Sequence, residues 1–140
     1  MKNHIQAKLL PTGLAILGAL VLSLSVTLSG HAADSSHRTE LKRVDLNGNP
    51  NMEVICSIVE LAPGDVAPRH FHHGVEAAYI LQGAMIQEPG KEPHLLATGT
   101  NIINLRDVYH AGFKVVGDQT LRIYTVHIVD KGEPLYDPGK

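Results

Sequence analysis

Four side chains suited to metal coordination lie in two short parts of the sequence. His70 and His72 are two residues apart, and Glu76 follows four residues after the second histidine. In an extended strand alternate side chains lie on the same face, so both imidazoles point toward one ion. Gly74 permits a bend, beyond which Glu76 offers a carboxylate oxygen to the same ion. His110 is the fourth candidate, so the sequence predicts three imidazoles and one carboxylate.

This set of side chains suits one divalent first-row transition metal ion. Iron, manganese, nickel, copper and zinc all accept such ligands, and the ligands alone do not choose among them. A tetrahedral arrangement would close the site and make it structural. An octahedral arrangement would leave two adjacent positions open for water, dioxygen or a chelating substrate. All four candidates are expected near strand ends, at the rim of a barrel, and this placement favours the open arrangement.

The chain has nine histidines, and several of those outside the predicted site, together with two tyrosines, have other expected roles. His73 has the wrong parity for the metal site and is expected on the surface or in a loop. His94 and His127 are expected to be strand residues with ordinary hydrogen-bond partners and not ligands. Tyr109, Tyr124 and His127 are the candidates for a general acid or base. Tyr124 and His127 are three residues apart, so a regular strand allows only one of them to face the interior.

Short apolar segments separated by turn signals make up the chain after residue 34. Strands are predicted over residues 52–61, across His70 and His72, and over residues 76–81, 84–87, 94–97, 101–105, 113–116 and 121–129. No segment in this part shows helical periodicity. The pattern therefore predicts an all-β sandwich or barrel. Cys56 lies in the first of these strands and is expected to be a buried, inert thiol.

The first thirty-odd residues differ from the rest of the chain. Lys2 and Lys8 flank a short polar start, residues 9–28 are almost entirely apolar, and small residues follow. This order is typical of a secretory signal peptide cleaved after Ala32 or Ala33, and the alternative is an uncleaved membrane anchor. We expect a signal peptide over 1–32, an arm with loose first residues over 33–51, a barrel over 52–130 and a tail over 131–140. The protein is then periplasmic or secreted, without stable membrane insertion after cleavage.

Charge and cysteine content restrict the function further. Loss of residues 1–32 removes two lysines and no acid, which changes the formal net charge from −2 to −4. An acidic chain of this kind does not attract nucleic acid or an anionic membrane. One cysteine cannot form an internal disulfide, so an exported protein must rely on its core or its metal. The expected partner is a small-molecule ligand or substrate, and a homodimer is left open.

Glycines at fixed spacings surround the candidate ligands. The pattern G-x5-H-x-H-x3,4-E-x6-G is matched at every spacing by Gly64, His70, His72, Glu76 and Gly83. The pattern G-x5-P-x-G-x2-H-x3-N is matched by Gly99 and His110 only, with Leu105, Asp107 and Lys114 in place of the proline, glycine and asparagine. These are the two cupin motifs, and over residues 52–130 the chain resembles a small single-domain cupin. The resemblance implies a double-stranded β-helix, or jelly-roll, barrel with the metal inside its mouth.

Two classes of function follow from these observations. The first is a metal-dependent exported enzyme acting on a small molecule, with an oxygenase of the cupin kind foremost and isomerase or lyase chemistry as alternatives. The second is a non-catalytic cupin that holds a carbohydrate or an organic acid at the same centre. A purely structural metal clip is a third alternative. The residues that line the cavity distinguish these classes, since a catalyst needs a general acid or base near the open positions.

Overall fold

The computed structural model describes residues 37–140. The predicted signal peptide, residues 1–32, lies outside the described residues, as do residues 33–36. Residues 37–140 form nine strands and no helix, which confirms the all-β prediction. Within this range there is accordingly no helix long and apolar enough to cross a membrane.

The nine strands form two antiparallel sheets. They are β1 (His37–Asp45), β2 (Met52–Leu61), β3 (Val66–Ala67), β4 (Gly74–Gln82), β5 (Ala84–Gln87), β6 (His94–Leu96), β7 (Asn101–Asn104), β8 (Phe113–Val116) and β9 (Leu121–Asp130). The five-stranded sheet has the order β1-β2-β9-β4-β7, and the four-stranded sheet has the order β3-β8-β5-β6. The chain therefore crosses repeatedly from one sheet to the other.

The core lies between the two sheets. Alternate residues of β2 and β9 are buried, as expected for strands with one face on an apolar interior. Leu61, Ile80 and Leu121 of the five-stranded sheet pack in one cluster with Ile86 and Val115 of the four-stranded sheet. The side chains of all five residues are at most 5% exposed. Thus the period-two pattern in the sequence corresponds to the inward faces of a closed structure.

Gly74 begins β4, and its role differs from the predicted bend. A Cβ at this position would lie 2.6 Å from the Cα of Val129 and would overlap the carbonyl oxygen of Ile128. Its φ is not in the left-handed region, whereas that of Gly64, in the turn after β2, is +97°. Glycine at position 74 therefore allows the backbones of β4 and β9 to approach each other closely.

Two segments differ from the sequence-based prediction. The arm contains β1, which pairs with β2 along nearly its whole length although most of its residues are exposed. Backbone pairing and the ion pair of Arg43 with Glu53 hold this edge strand, and neither produces an apolar pattern in the sequence. The predicted strand across His70 and His72 is wrong as a regular strand, because His70 forms only an isolated bridge, with His110.

Candidate functional site

The structure brings together the three imidazoles that the sequence predicted as ligands. His70 and His72 precede β4, and His110 lies between β7 and β8. The backbone N–H groups of His70 and His110 each donate to the carbonyl oxygen of the other residue, over 3.2 and 2.9 Å. One possible ligand atom from each of the three rings lies within 4.8 Å of the other two. The bridge therefore aligns two loops that are forty residues apart in sequence.

Each of these three rings is oriented by a backbone carbonyl. The Nδ1 atom of His70 donates to the oxygen of Pro68 at 2.7 Å, and that of His110 donates to the oxygen of Val108 at 3.1 Å. The Nδ1 atom of His72 donates to the oxygen of Leu135. A carbonyl oxygen only accepts, so the proton must reside on Nδ1 in all three rings. In its neutral form each ring then has its lone pair on Nε2, the atom through which such a histidine would ligate a metal ion.

Glu76 is the first inward-facing residue of β4 after Gly74, and it lies among the histidines. Its Oε2 is 3.3 Å from Nε2 of His72 and 3.4 Å from Nε2 of His110. Asn104 of β7, its pairing partner in the sheet, donates through Nδ2 to the same oxygen at 2.6 Å. Burial favours the neutral carboxylic acid. The surrounding imidazoles outweigh burial and hold the pKa of Glu76 far below its usual value, so this residue is a carboxylate.

His72, Glu76 and His110 have the spacing expected of ligands to one divalent metal ion, and His70 lies within reach of the other two imidazoles. Donor atoms about 2.1 Å from one ion lie about 3.0–4.2 Å apart, depending on whether they are adjacent or opposite. The separations around Glu76 fall in this range. The buried Nε2 atoms of His72 and His110 also have no hydrogen-bond partner among the described residues. Burial lowers the pKa of His70 to about 4, and the neighbouring His110 and His72 act in the same direction. That ring is therefore neutral near pH 7, as coordination requires.

His127 is a strand residue, as expected, but it lies beside the cluster and lacks the ordinary hydrogen-bond partner that was expected, among the described residues. It lies on the inner face of β9, is fully buried, and is paired directly with Glu76 across the sheet. Its Nε2 lies 3.4 Å from Oε1 of Glu76, and its ring centroid is 4.6 Å from that of His72. His72, Glu76 and His127 form a second group whose ligand atoms lie within 4.8 Å of one another. The sequence signal for this position is its spacing: His127 is two residues after Thr125, so both side chains lie on the same, buried face of β9.

A cavity of about 380 Å³ opens directly beside the histidine cluster. His70, Glu76 and His110 contribute to its wall, and most of the remaining wall is apolar, as with Ile102 and Phe113. Thr125 also lines it; its hydroxyl is buried and has no hydrogen-bond partner among the described residues. An ion held by the cluster would therefore face a space of small-molecule size.

The C-terminal tail after β9 completes the wall of this cavity. Tyr136 lines the cavity, and its ring centroid lies 4.6 Å from that of His70 and 5.3 Å from that of His72. Phe71 and Asp137 form a backbone bridge that holds the tail against the loop of the two histidines. The tail thus supplies both an aromatic side chain and the carbonyl that orients His72. The tail was not predicted from the sequence to be part of the site.

The three predicted acid–base candidates lie outside the wall of this cavity. None of Tyr109, Tyr124 and His127 lines the cavity. Tyr109 lies under the guanidinium of Arg69, 3.8 Å from its ring centre. A hydrogen bond with Cys56 raises the pKa of Tyr124. Cys56 was expected to be buried, whereas in the structure it is half-buried. Tyr124 has the parity opposite to His127, in agreement with the expectation that only one of the pair faces inward.

The loop before His110 brings this residue to the cluster although its sequence departs from the second motif. Asp107, where glycine is usual, has a φ of +58°, a left-handed conformation that aspartate tolerates better than most residues. Its carboxylate lies 3.2 Å from Nδ1 of His73, and its backbone N–H donates to the oxygen of His72. His73 is therefore a loop residue outside the cluster, as its parity indicated.

Comparisons with known proteins agree with this architecture. The family model described as Cupin domain (Cupin_2) matches residues 57–127, about half of the chain. No curated protein sequence matches the chain closely enough to indicate a relative.

Several solved structures share the fold. The polyketide cyclase RemF from Streptomyces resistomycificus is 22% identical with a TM-score of 0.54, over 75% of this chain and 72% of that protein. The DMSP lyase DddQ from Ruegeria pomeroyi DSS-3 is 20% identical with a TM-score of 0.53, over 77% of this chain and 54% of that protein. A cupin superfamily protein from Desulfitobacterium hafniense DCB-2 is 17% identical with a TM-score of 0.50, over 69% and 80%. The family match and the shared double-stranded β-helix fold together show that this chain belongs to the cupin family.

Proposed function

We propose that this protein is an exported, metal-dependent enzyme that acts on a small, largely apolar molecule. One divalent transition metal ion is held by His70, His72, Glu76 and His110. The observation that carries the proposal is the position of the cavity, because three of these four residues form part of its wall. A structural clip would instead be enclosed by its own ligands and packed core.

The reaction that we propose is oxygenation. A bound metal of this type supplies Lewis-acid or redox chemistry at its open positions. The protein's own residues bind and orient the substrate: the apolar wall excludes water, and the Thr125 hydroxyl offers a hydrogen bond to a polar group of the substrate. Apart from the proposed ligands, the wall offers only Glu88 and Tyr136 for proton transfer, which favours chemistry centred on the metal over acid–base chemistry. The structural neighbours named as a polyketide cyclase and a DMSP lyase indicate that the same barrel also accommodates other reactions.

A non-catalytic small-ligand cupin is the second candidate function. The observation that favours it is that Tyr109, Tyr124 and His127 do not line the cavity. The iron(II)-loaded protein should consume dioxygen when it is supplied with apolar small molecules that carry one hydroxyl or carboxyl group. If such molecules bind and dioxygen consumption does not rise above that of the protein alone, the protein is a binding cupin.

The metal site is tested by elemental analysis of the purified protein. We expect one ion per chain in the wild type and less than about a tenth of that in the double variant His70→Ala/His72→Ala, because two of four ligands are lost. The matched control is His94→Ala, a histidine exposed on β6 outside the cluster. Equal metal content in the wild type and the double variant would contradict the proposal.

The openness of the site is tested with the cobalt(II)-loaded protein. Azide should change the visible spectrum as it takes a vacant position. A tetrahedral spectrum that azide does not alter would indicate the structural clip.

Export is part of the proposal and rests on the sequence of residues 1–33. Expression of the full chain in a Gram-negative host should yield a periplasmic protein whose first residue is Ala33 or Asp34. A protein that stays in the cytoplasm or keeps its first 32 residues would contradict this part alone.

A further inference from the structure

His127 differs from the three predicted histidine ligands in how its ring is held. Those three rings each donate Nδ1–H to a backbone carbonyl and present Nε2 to the centre. Neither ring nitrogen of His127 has a hydrogen-bond partner in the part of the chain that the structure describes, although the side chain is fully buried. The backbone therefore does not place the proton of this ring on Nδ1.

The surroundings of His127 favour the opposite tautomer. The polar atom that its Nε2 faces at 3.4 Å is Oε1 of Glu76, a carboxylate oxygen that can only accept. A neutral imidazole with its proton on Nε2 gains a charge-assisted hydrogen bond there when the two groups close by a few tenths of an ångström. A proton on Nδ1 would instead leave a buried donor without an acceptor and would set two lone pairs against each other.

The hydrogen bond from His127 would fix the orientation of the Glu76 carboxylate. Its Oε2 faces His72 and His110 and accepts from Asn104, whereas its Oε1 faces His127 on the other side. A donor on each side restricts rotation of the carboxylate, and the direct pairing of Glu76 with His127 across β4 and β9 makes this restriction part of the sheet. Outer hydrogen-bond partners of this kind orient metal ligands and strengthen binding.

We propose that His127 is a positioning residue and not a ligand: it donates Nε2–H to Oε1 of Glu76 and so presents Oε2 to the metal. The role in metal binding rests on the proposed function, whereas the tautomer does not. Because Oε1 is engaged by His127, Glu76 would offer one oxygen, Oε2, to a metal ion held by the three imidazoles.

The tautomer is tested by NMR on the metal-free protein with isotope-labelled histidine. Long-range couplings within each ring show which nitrogen carries the proton, and the signal lost in His127→Gln assigns His127. We expect His70, His72 and His110 to carry the proton on Nδ1 and His127 to carry it on Nε2. A proton on Nδ1 of His127 would overturn the proposal. This result stands even if the protein binds no metal, so it is distinguishable from failure of the proposed function.

The effect on metal binding is tested by chelator competition with cobalt(II). His127→Leu removes the donor, and we expect the affinity to fall about 10- to 100-fold while the stoichiometry stays at one ion. His127→Gln places an amide N–H near the same point and should recover most of this loss with an unchanged cobalt spectrum. Val129→Ala, also buried on the inner face of β9, controls for general loosening of the strand and should leave the affinity unchanged. Equal losses in both His127 variants with a shifted spectrum would show that His127 is itself a ligand. No loss in either would show that it has no role.

Discussion

His70 is a base that the fold keeps unprotonated. Burial lowers its pKa from 6.5 in an exposed histidine to about 4. Between these values the unfolded chain binds a proton that the folded chain does not. By proton linkage, stability therefore decreases as the pH falls through this window. Burial lowers the pKa of His127 as well, with the same sign.

We predict that the free energy of unfolding of the metal-free protein falls between about pH 6.5 and pH 4. The slope contributed by His70 is at most about 1.4 kcal/mol per pH unit, the value for one proton. Urea unfolding at several pH values measures it. The variant His70→Gln lacks this group and should show a shallower slope. Parallel curves for the two proteins would contradict the assignment.

At the level of single residues, spacing could indicate which side chains meet but not how they are held. The H-x-H pair, Glu76 and His110 follow from motif spacing, and the structure brings all four together. The acceptors for the Nδ1 protons are the carbonyl oxygens of Pro68, Leu135 and Val108. Every residue has a carbonyl, so no choice of amino acid signals such a contact. The contact of His127 with Glu76 could not be predicted, because it depends on the register of β4 and β9, which depends on the whole sheet.

β4 and β9 pair closely because residue 74 is a glycine and has no side chain. A methyl group at residue 74 would overlap the backbone of residues 128 and 129. We predict that Gly74→Ala destabilises the protein by about 1–3 kcal/mol or more, the typical cost of overpacking. Gly90→Ala is the matched control: φ there is +74° but nothing lies within 4 Å of the added carbon. It should cost about 1 kcal/mol from backbone strain alone. Chemical denaturation measures both, and equal costs would contradict the close approach.

The C-terminal tail acts on the site through its backbone and its aromatic ring. A chain ending at Pro134 loses the carbonyl that accepts from His72 and the ring that contacts His70. We predict that this truncation lowers the metal affinity about 10- to 100-fold, while the far-ultraviolet circular dichroism of the strands persists.

Leu135→Ala is the control for that truncation, because it keeps the carbonyl. It should bind metal within about threefold of the wild type, a difference below about 1 kcal/mol. An equal loss in Leu135→Ala and in the truncated chain would show that the apolar side chain of Leu135, and not its carbonyl, supports the site.

Among the elements, those with an alternating apolar pattern were predicted best. Strands β2, β5 and β8 have the predicted bounds, since alternation and turn residues mark them clearly. β1 was missed because an exposed edge strand is held by backbone hydrogen bonds and needs no apolar face. The segment with His70 and His72 was predicted as a strand because its side chains alternate as in a strand. In the structure this alternation directs both imidazoles to the site, and the segment belongs to neither sheet.

For the molecule as a whole, the proposed metal ion would be a source of stability that no disulfide within the chain replaces. The chain has one cysteine and thus no internal disulfide. An ion that binds only the folded arrangement adds about 2.7 kcal/mol at a free concentration of 100 times its Kd. We predict that a chelator lowers the Tm of the wild type by several degrees, measured by scanning calorimetry, and that a reducing agent does not change it. The double variant His70→Ala/His72→Ala should show no shift with the chelator. A shift in that variant equal to the wild-type shift would place the stabilising ion elsewhere.

The order of strands in the larger sheet determines when this protein can fold during its synthesis. β9 lies between β2 and β4, which do not pair with each other. Until residues 121–130 leave the ribosome, the strands of the larger sheet can form only a β1–β2 hairpin and a separate β4–β7 pair, each with an open edge, although the strands of the smaller sheet have all been made. Contacts so distant in sequence form slowly. The larger sheet therefore closes, and the proposed metal site is completed, only after β9 and the tail that follows it have been made.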